Sequence, residues 1–516
     1  MLPPRGLAIV AVTVLLAGCA PGLAANPRFA SNSGPRARVT TTAPKPSGPP
    51  PIAAPKNDLA WHDCTDKVFG DAAATPPPGV SLDCASYDAE LDPINGATGT
   101  LSIGVVRARS ADTPPDAGPL VFTTGSDLPS SLQLPVWLSR AGADVLRSHP
   151  IVAVDRRGIG MSSPLDCRDA SDRQDMADQA QFASGDDPVA NLGAITLTAT
   201  TNCTDTIAPG DTAYDDSHAA EDIERLRSTW DVPALALMGV GNGAQVALAY
   251  AGLHPNKVAR LILDSALPTG SAAEPAAEQQ IKGEQATLDA FASQCAAANC
   301  PLGPDPKGAV DALLSAARAG HGPGGASVAA VAEAISTALA FPHGDRVSAT
   351  NALAGALAAA RSGDANQLNN LINQAQSLRQ TDGQFVNTCS DSLDRPTPDR
   401  VRELVVAWGK LYPEFGAVGA LNLVKCLNWP SGTAPTQPKN LSVNALLLGG
   451  QYDPVVGAEG VGAISATVIN AGVASRRVMW QGIGHGVAIY AACALPPLIG
   501  YLNSGNLPAT DTYCPA

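Results

Sequence analysis

Aromatic residues are scarce in this chain: Trp, Tyr and Phe together make up 4% of its 516 positions. Basic residues are also in the minority, with 33 Lys+Arg against 47 Asp+Glu and a formal net charge of −14. That balance leaves no broad basic face, which excludes nucleic acid as a general partner. No apolar run reaches the ~20 residues needed to cross a bilayer. The longest, residues 7–17, follows Arg5 and reads as a secretory signal. There is no CxxC, no Cys-His cluster, no internal repeat and no heptad run. Zinc is therefore disfavoured, and no metal or other cofactor is expected.

What is present is unevenly distributed. Residues 20–57 carry five cations (Arg28, Arg36, Arg38, Lys45 and Lys56) and no acid. With Arg5 also set aside, the rest of the chain holds −20. Leu16-Ala17-Gly18-Cys19 resembles a bacterial lipobox, which implies cleavage before Cys19 and lipidation of that residue. The rival reading is plain signal cleavage with Cys19 incidental. Residues 20–57 are rich in Pro, Ser, Thr and Ala and have little to bury, so they are expected to form a disordered tether. Its cations suit anionic head groups. The expected picture is an acidic body exported from the cell and lipid-anchored at the outer face of the bacterial membrane.

Ten further cysteines remain, an even number that suits disulfides in an exported protein without fixing their connectivity. Pairing sequential neighbours gives Cys64–Cys84, Cys167–Cys203, Cys295–Cys300, Cys389–Cys426 and Cys493–Cys514. Each such bridge would stabilise by about 2–4 kcal/mol.

Strand-like runs alternate with helical stretches, which points to an α/β sheet. The clearest strands are expected at 101–108, 119–123, 151–155, 234–238, 260–264, 445–449 and 477–480. From 272 to 437 the composition turns to Ala-rich helical patterns such as SVAAVAEAISTALA. The expected division is a signal at 1–19, the tether at 20–57, a core at 58–271, a helical cap at 272–437 and the rest of the core at 438–516.

The most informative segment runs from Ala234 to Tyr250. An apolar strand enters a Gly-rich turn and then a small-residue helix, the setting of a G-x-S-x-G nucleophile elbow. The five elbow positions are Gly239, Val240, Gly241, Asn242 and Gly243, so the serine position is Gly241. A dinucleotide-binding glycine loop is the rival reading. It is disfavoured this far into an exported chain. Two later strands lead to Asp453 and to His485. The order nucleophile, Asp, His is that of α/β-hydrolases, where His takes the serine proton and Asp orients the His.

With these residues in view, the chain resembles the exported TAP-like (tripeptidyl-aminopeptidase-like) α/β-hydrolases, relatives of proline iminopeptidases. The likeness covers roughly residues 58–516. It rests on Trp61-His62-Asp63-Cys64, the D-x-R-G-x-G-x-S run from Asp155 to Ser162, the elbow, and Leu263-Asp264. It continues through Cys300-Pro301-Leu302-Gly303, Asn387-Thr388-Cys389, Tyr452-Asp453-Pro454, Gly484-His485 and the final Cys pair. The resemblance implies an α/β-hydrolase core with a helical cap, and cleavage of short peptides from a free N-terminus.

The departures bear on function. The family's nucleophile falls on Gly241, and its Gly-rich oxyanion loop falls on Thr123-Thr124-Gly125-Ser126-Asp127-Leu128. Only Gly125 survives there, and Asp127 would bring negative charge toward a developing oxyanion. The Asn242 N–H is expected to remain as one donor. Ser126, Ser162, Ser163 and Ser265 are weak substitutes, because none stands on a turn aimed at His485. The reading is a pseudo-hydrolase whose remnant pair is Asp453 and His485, and which binds a peptide, an acyl ligand or an envelope partner. The alternatives are an active hydrolase with an unrecognised nucleophile, a His–Asp dyad enzyme, or a purely structural protein.

Overall fold

The computed structural model describes residues 49–516 apart from 180–184 and 269. The signal segment, Cys19 and the tether up to residue 48 lie outside the described residues. Ten strands make one sheet: β1 (His62–Asp63), β2 (Val80–Glu90), β3 (Thr100–Ser110), β4 (Leu120–Thr123), β5 (Ile151–Val154), β6 (Leu235–Val240), β7 (Val258–Asp264), β8 (Ala445–Tyr452), β9 (Ser475–Ile483) and β10 (Thr512–Cys514). Their spatial order is β1-β2-β3-β5-β4-β6-β7-β8-β9-β10. The pairings β1·β2, β2·β3 and β3·β5 are antiparallel, and all those from β5 to β10 are parallel. This is an α/β-hydrolase sheet.

Every residue of β4, β5, β6 and β7 is buried. A parallel sheet covered by helices on both faces requires such continuous apolar runs. Alternate residues feed two cores. Val121, Leu237 and Leu261 pack on one face with Trp230 and Tyr250. Phe122, Met238 and Ile262 pack on the other with Trp137 and Leu498. The ends of β1, β2 and β10 were not legible as strands, because they pair at sheet edges and carry exposed or polar residues. All five sequential disulfides form.

Two boundaries are corrected by the structure. Residues 49–57 belong to the body and not to a free tether. The Pro50 carbonyl accepts from buried Arg260 at 2.9 Å, Ile52 packs on the core, and Lys56 N–H donates to the Trp230 carbonyl at 2.9 Å. A guanidinium taken out of water needs such acceptors. The helical layer also extends beyond 272–437. Between β7 and β8 the described residues hold helices and no strand, only an isolated bridge from Ala272 to Leu393. Helix Pro188–Ile207, however, buries Val189 and Leu192 in the same cluster. Arg168 pairs with Asp382 at 2.9 Å across the two segments. The Ala-rich patterning marked the later helices, whereas the polar Thr-rich face of 188–207 concealed its role.

The D-x-R-G run is structural. Asp155 accepts from Ser131 N–H and Oγ and from Met161 N–H. Arg157, fully buried, forks onto Asp222 at 2.6 and 2.8 Å. Removing one member of a buried pair strands the other's charge. Asp222→Ala is therefore expected to destabilise the protein by about 3–5 kcal/mol in chemical denaturation. A loss under about 1 kcal/mol would show that the pair is not what holds this turn.

Candidate active site

Four parallel strands deliver the site at their C-terminal ends, where open α/β sheets place their ligands. β4 ends in the loop 123–128, β6 in the elbow, β8 in Asp453 and β9 in His485. At the elbow Gly241 has φ 57° and ψ −122°, and helix Asn242–Leu253 begins directly after it. The strand-to-helix turn is sharp, and it displays no side chain at 241. Glycine adopts this positive φ without steric cost.

His485 and Asp453 are paired. His485 Nδ1 lies 2.9 Å and 3.0 Å from the two Asp453 oxygens. Asp453 Oδ1 also accepts from Val455 and Val456 N–H, which fixes the carboxylate. The His485 loop is pinned from two sides. Its own N–H donates to the Ala340 carbonyl at 2.8 Å, and Asp264 accepts from Val487 and Ala488 N–H. The edge of Phe341 meets the imidazole at a centroid distance of 5.8 Å.

The space above Gly241 is filled by Asp127. A Cβ built on Gly241 would meet Asp127 Oδ2 at 1.8 Å and His485 Nε2 at 2.5 Å. Asp127 Oδ2 accepts from Asn242 N–H at 2.8 Å and lies 3.2 Å from His485 Nε2. The sequence placed this carboxylate only near an oxyanion and kept the Asn242 N–H as a free donor. The second point is corrected: that N–H is spent on Asp127. The contact joins residues 358 positions apart, which no local motif could report.

The loop reaches this far because its backbone is tied down. Gly125 approaches the elbow so closely that a Cβ there would sit 2.2 Å from Asn242 Oδ1. Ser126 N–H donates to Asn242 Oδ1 at 2.9 Å. From helix Asp382–Asp391, Gln384 Nε2 donates to the carbonyls of Ser126 and Asp127. The sequence carried no signal for Gln384. The remaining serines are structural: Ser162 Oγ and Ser163 Oγ donate to the carbonyls of Asp155 and Ser102, and Ser265 Oγ to Asp264.

Behind Asn242 lies a buried ionic cluster. Arg156 donates to Asp216, to Asp391 and to Asn242 Oδ1. Two carboxylates share this one guanidinium. Burial first, and then the charge of Asp391, push the Asp216 carboxyl well above the usual carboxylate range. A cavity of about 300 Å³ opens over the elbow, between the sheet and the later helices. Asp127, Asp216, Asp391, Glu333 and Glu284 contribute to its wall, against Arg379. Arg379 pairs with Glu333 at 3.2 Å. Among the described residues Glu284 accepts only from Gln280 and Ser336, and burial pushes its carboxyl up to about 7. Among the described residues no group of His, Cys, Asp or Glu suits a metal ion, and no helix is long and apolar enough to cross a membrane.

His485 is 2% exposed. Burial opposes its charge, but Asp453 and then Asp127 outweigh burial and raise its pKa to about 10 from an ordinary 6.5. The folded state thus binds a proton more tightly than the unfolded chain. Its stabilisation is complete below pH about 6.5 and is lost as pH rises toward about 10. The unfolding midpoint of the parent is expected to fall between those limits by more than that of Asp127→Asn. Equal falls in thermal melts of the two proteins would contradict the Asp127–His485 pair.

Residues 412–514 match the family described as TAP-like protein. Over 163 residues the chain is 29% identical to the serine protease Hip1 of Mycobacterium bovis and of Mycobacterium tuberculosis. That stretch is 31% of this chain and 31% of the length of those relatives. Among solved structures, esterase E22 aligns over 83% of this chain and 99% of its own, at 11% identity and a TM-score of 0.41. Esterase RhEst1 from Rhodococcus aligns over 81% and 99%, at 16% identity and a TM-score of 0.38.

Proposed function

We propose that this chain, a TAP-like α/β-hydrolase, has abandoned serine-dependent hydrolysis and keeps its cleft to bind a small ligand, a peptide or an acyl compound. The observation that carries the reading is the position of Asp127 Oδ2, 1.8 Å from where a side chain on Gly241 would begin. A serine route needs a hydroxyl beside a neutral imidazole and free donors for the oxyanion. Here the hydroxyl is absent, His485 is held as an imidazolium between two carboxylates, and the elbow N–H is occupied by an anion. Each loss alone is severe: one missing oxyanion donor costs about 10²–10³ in rate.

The cavity favours a ligand with a positive end. Glu284 has no cation within hydrogen-bond reach among the described residues, and an ammonium would supply the missing charge. Five disulfides fit an oxidising compartment outside the cytoplasm. Lipid attachment at Cys19 would hold the body at the outer membrane face.

A fluorophosphonate probe tests the reading. The parent protein is expected to remain unlabelled. Gly241→Ser alone is also expected to stay silent, because its Cβ collides with Asp127. Gly241→Ser combined with Asp127→Gly should gain labelling that His485→Ala abolishes. Labelling of the parent that depends on His485 would overturn the proposal.

A further inference from the structure

We infer that Asp127 is itself a nucleophile, and that the site opens aliphatic epoxides through an ester formed on its carboxylate. The inference accepts that the serine route is closed and assigns the same place a different chemistry. The grouping is specific: a carboxylate at the nucleophile's position, a His–Asp pair behind it, a backbone N–H on one of its oxygens and a cavity in front. Asp127 Oδ2 holds the contacts to Asn242 N–H and His485, whereas Oδ1 has no hydrogen-bond partner among the described residues. The side chain keeps 15% of its surface exposed and lines the cavity.

Carboxylates serve as covalent nucleophiles. The choice of electrophile follows from leaving-group chemistry. Attack on an ester or amide gives a tetrahedral adduct, from which the carboxylate leaves far more readily than an alkoxide or amine, so the adduct reverts before an anhydride forms. Attack on a saturated carbon does not have that escape. A strained cyclic ether also keeps its leaving oxygen tethered. Beside Asp127 stands one proton donor for that oxygen, the imidazolium Nε2–H of His485. Leu267, Ile281, Phe415, Val455 and Val456 give the cavity apolar wall for a hydrocarbon chain.

The steps balance as follows. Oδ1 attacks a ring carbon; the new C–O bond forms as the ring C–O bond breaks, and its electron pair goes to the ring oxygen. That oxygen takes the Nε2 proton and becomes a hydroxyl. Asp127 is now a neutral ester and His485 a neutral base, still oriented by Asp453. Water gives a proton to His485 and adds to the Asp127 carbonyl carbon. The negative charge develops on Oδ2, where the Asn242 N–H already points. Collapse expels the alkoxide, which takes the proton from His485. The carboxylic acid then returns a proton to the imidazole, and the net reaction is epoxide plus water to diol.

The test uses the full chain with 1,2-epoxyhexane. A single turnover in heavy-oxygen water should place the label in the Asp127 carboxylate, read by peptide mass spectrometry, and release diol. In His485→Gln, ring opening draws its proton from water, and the adduct on Asp127 should persist because its hydrolysis slows by about 10²–10⁴. Peptide mapping locates the adduct without requiring an Asp127 variant to fold. No diol and no Asp127 adduct, or adducts only on other residues, would overturn the inference. Those results would leave the fluorophosphonate outcome, and the closed serine route, untouched.

Discussion

One carboxylate organises this site. Asp127 Oδ2 sits between the first N–H of helix Asn242–Leu253 and the imidazole of His485. It does three things there. It supplies the helix N-terminus with the cap that Gly241 cannot, and helix N-termini favour negative charge. It holds the proton on His485, and it occupies the space that a side chain at position 241 would need. The charges form a chain: Asp453, imidazolium and Asp127, all largely out of water. Such a chain persists only when its polar atoms are satisfied, and the N–H groups of Val455, Val456 and Asn242 do that.

The constraint propagates into the helical layer. Gln384 binds the loop carbonyls on either side of the Asp127 backbone, and the Ala340 carbonyl receives the His485 N–H. Both partners come from the helices that follow β7. The layer above the sheet therefore fixes the conformation of the chemistry-bearing loops as well as covering the cleft. Asn242 ties the same loop to the Arg156 cluster through Ser126 N–H.

Much of this was legible in the sequence, for physical reasons. Buried parallel strands are apolar throughout, so β4 to β8 stood out from their surroundings. The elbow and Asp453 each follow such a strand, His485 follows the more polar β9, and the glycines around them mark the turns. What was hidden lay in tertiary pairing. Asp127 looked like a damaged oxyanion loop, because only the fold reveals that its side chain reaches a histidine 358 residues away. The strand Val80–Glu90 alternates buried and exposed residues at a sheet edge, and its polar half masked it. The sequence marked 49–57 as tether by composition, but proline-rich chain can still offer carbonyls to a buried arginine.

The central claim is that Asp127 and Asp453 together keep His485 charged beside Gly241. Nitrogen NMR of protein labelled at its seven histidines reads this directly, with His485→Ala to assign the resonance. Both ring nitrogens of His485 should carry protons at pH about 8.5, since its pKa is raised to about 10. In Asp127→Asn the imidazole should be less charged at that pH. A parent His485 that is already neutral at pH about 7 would contradict the account.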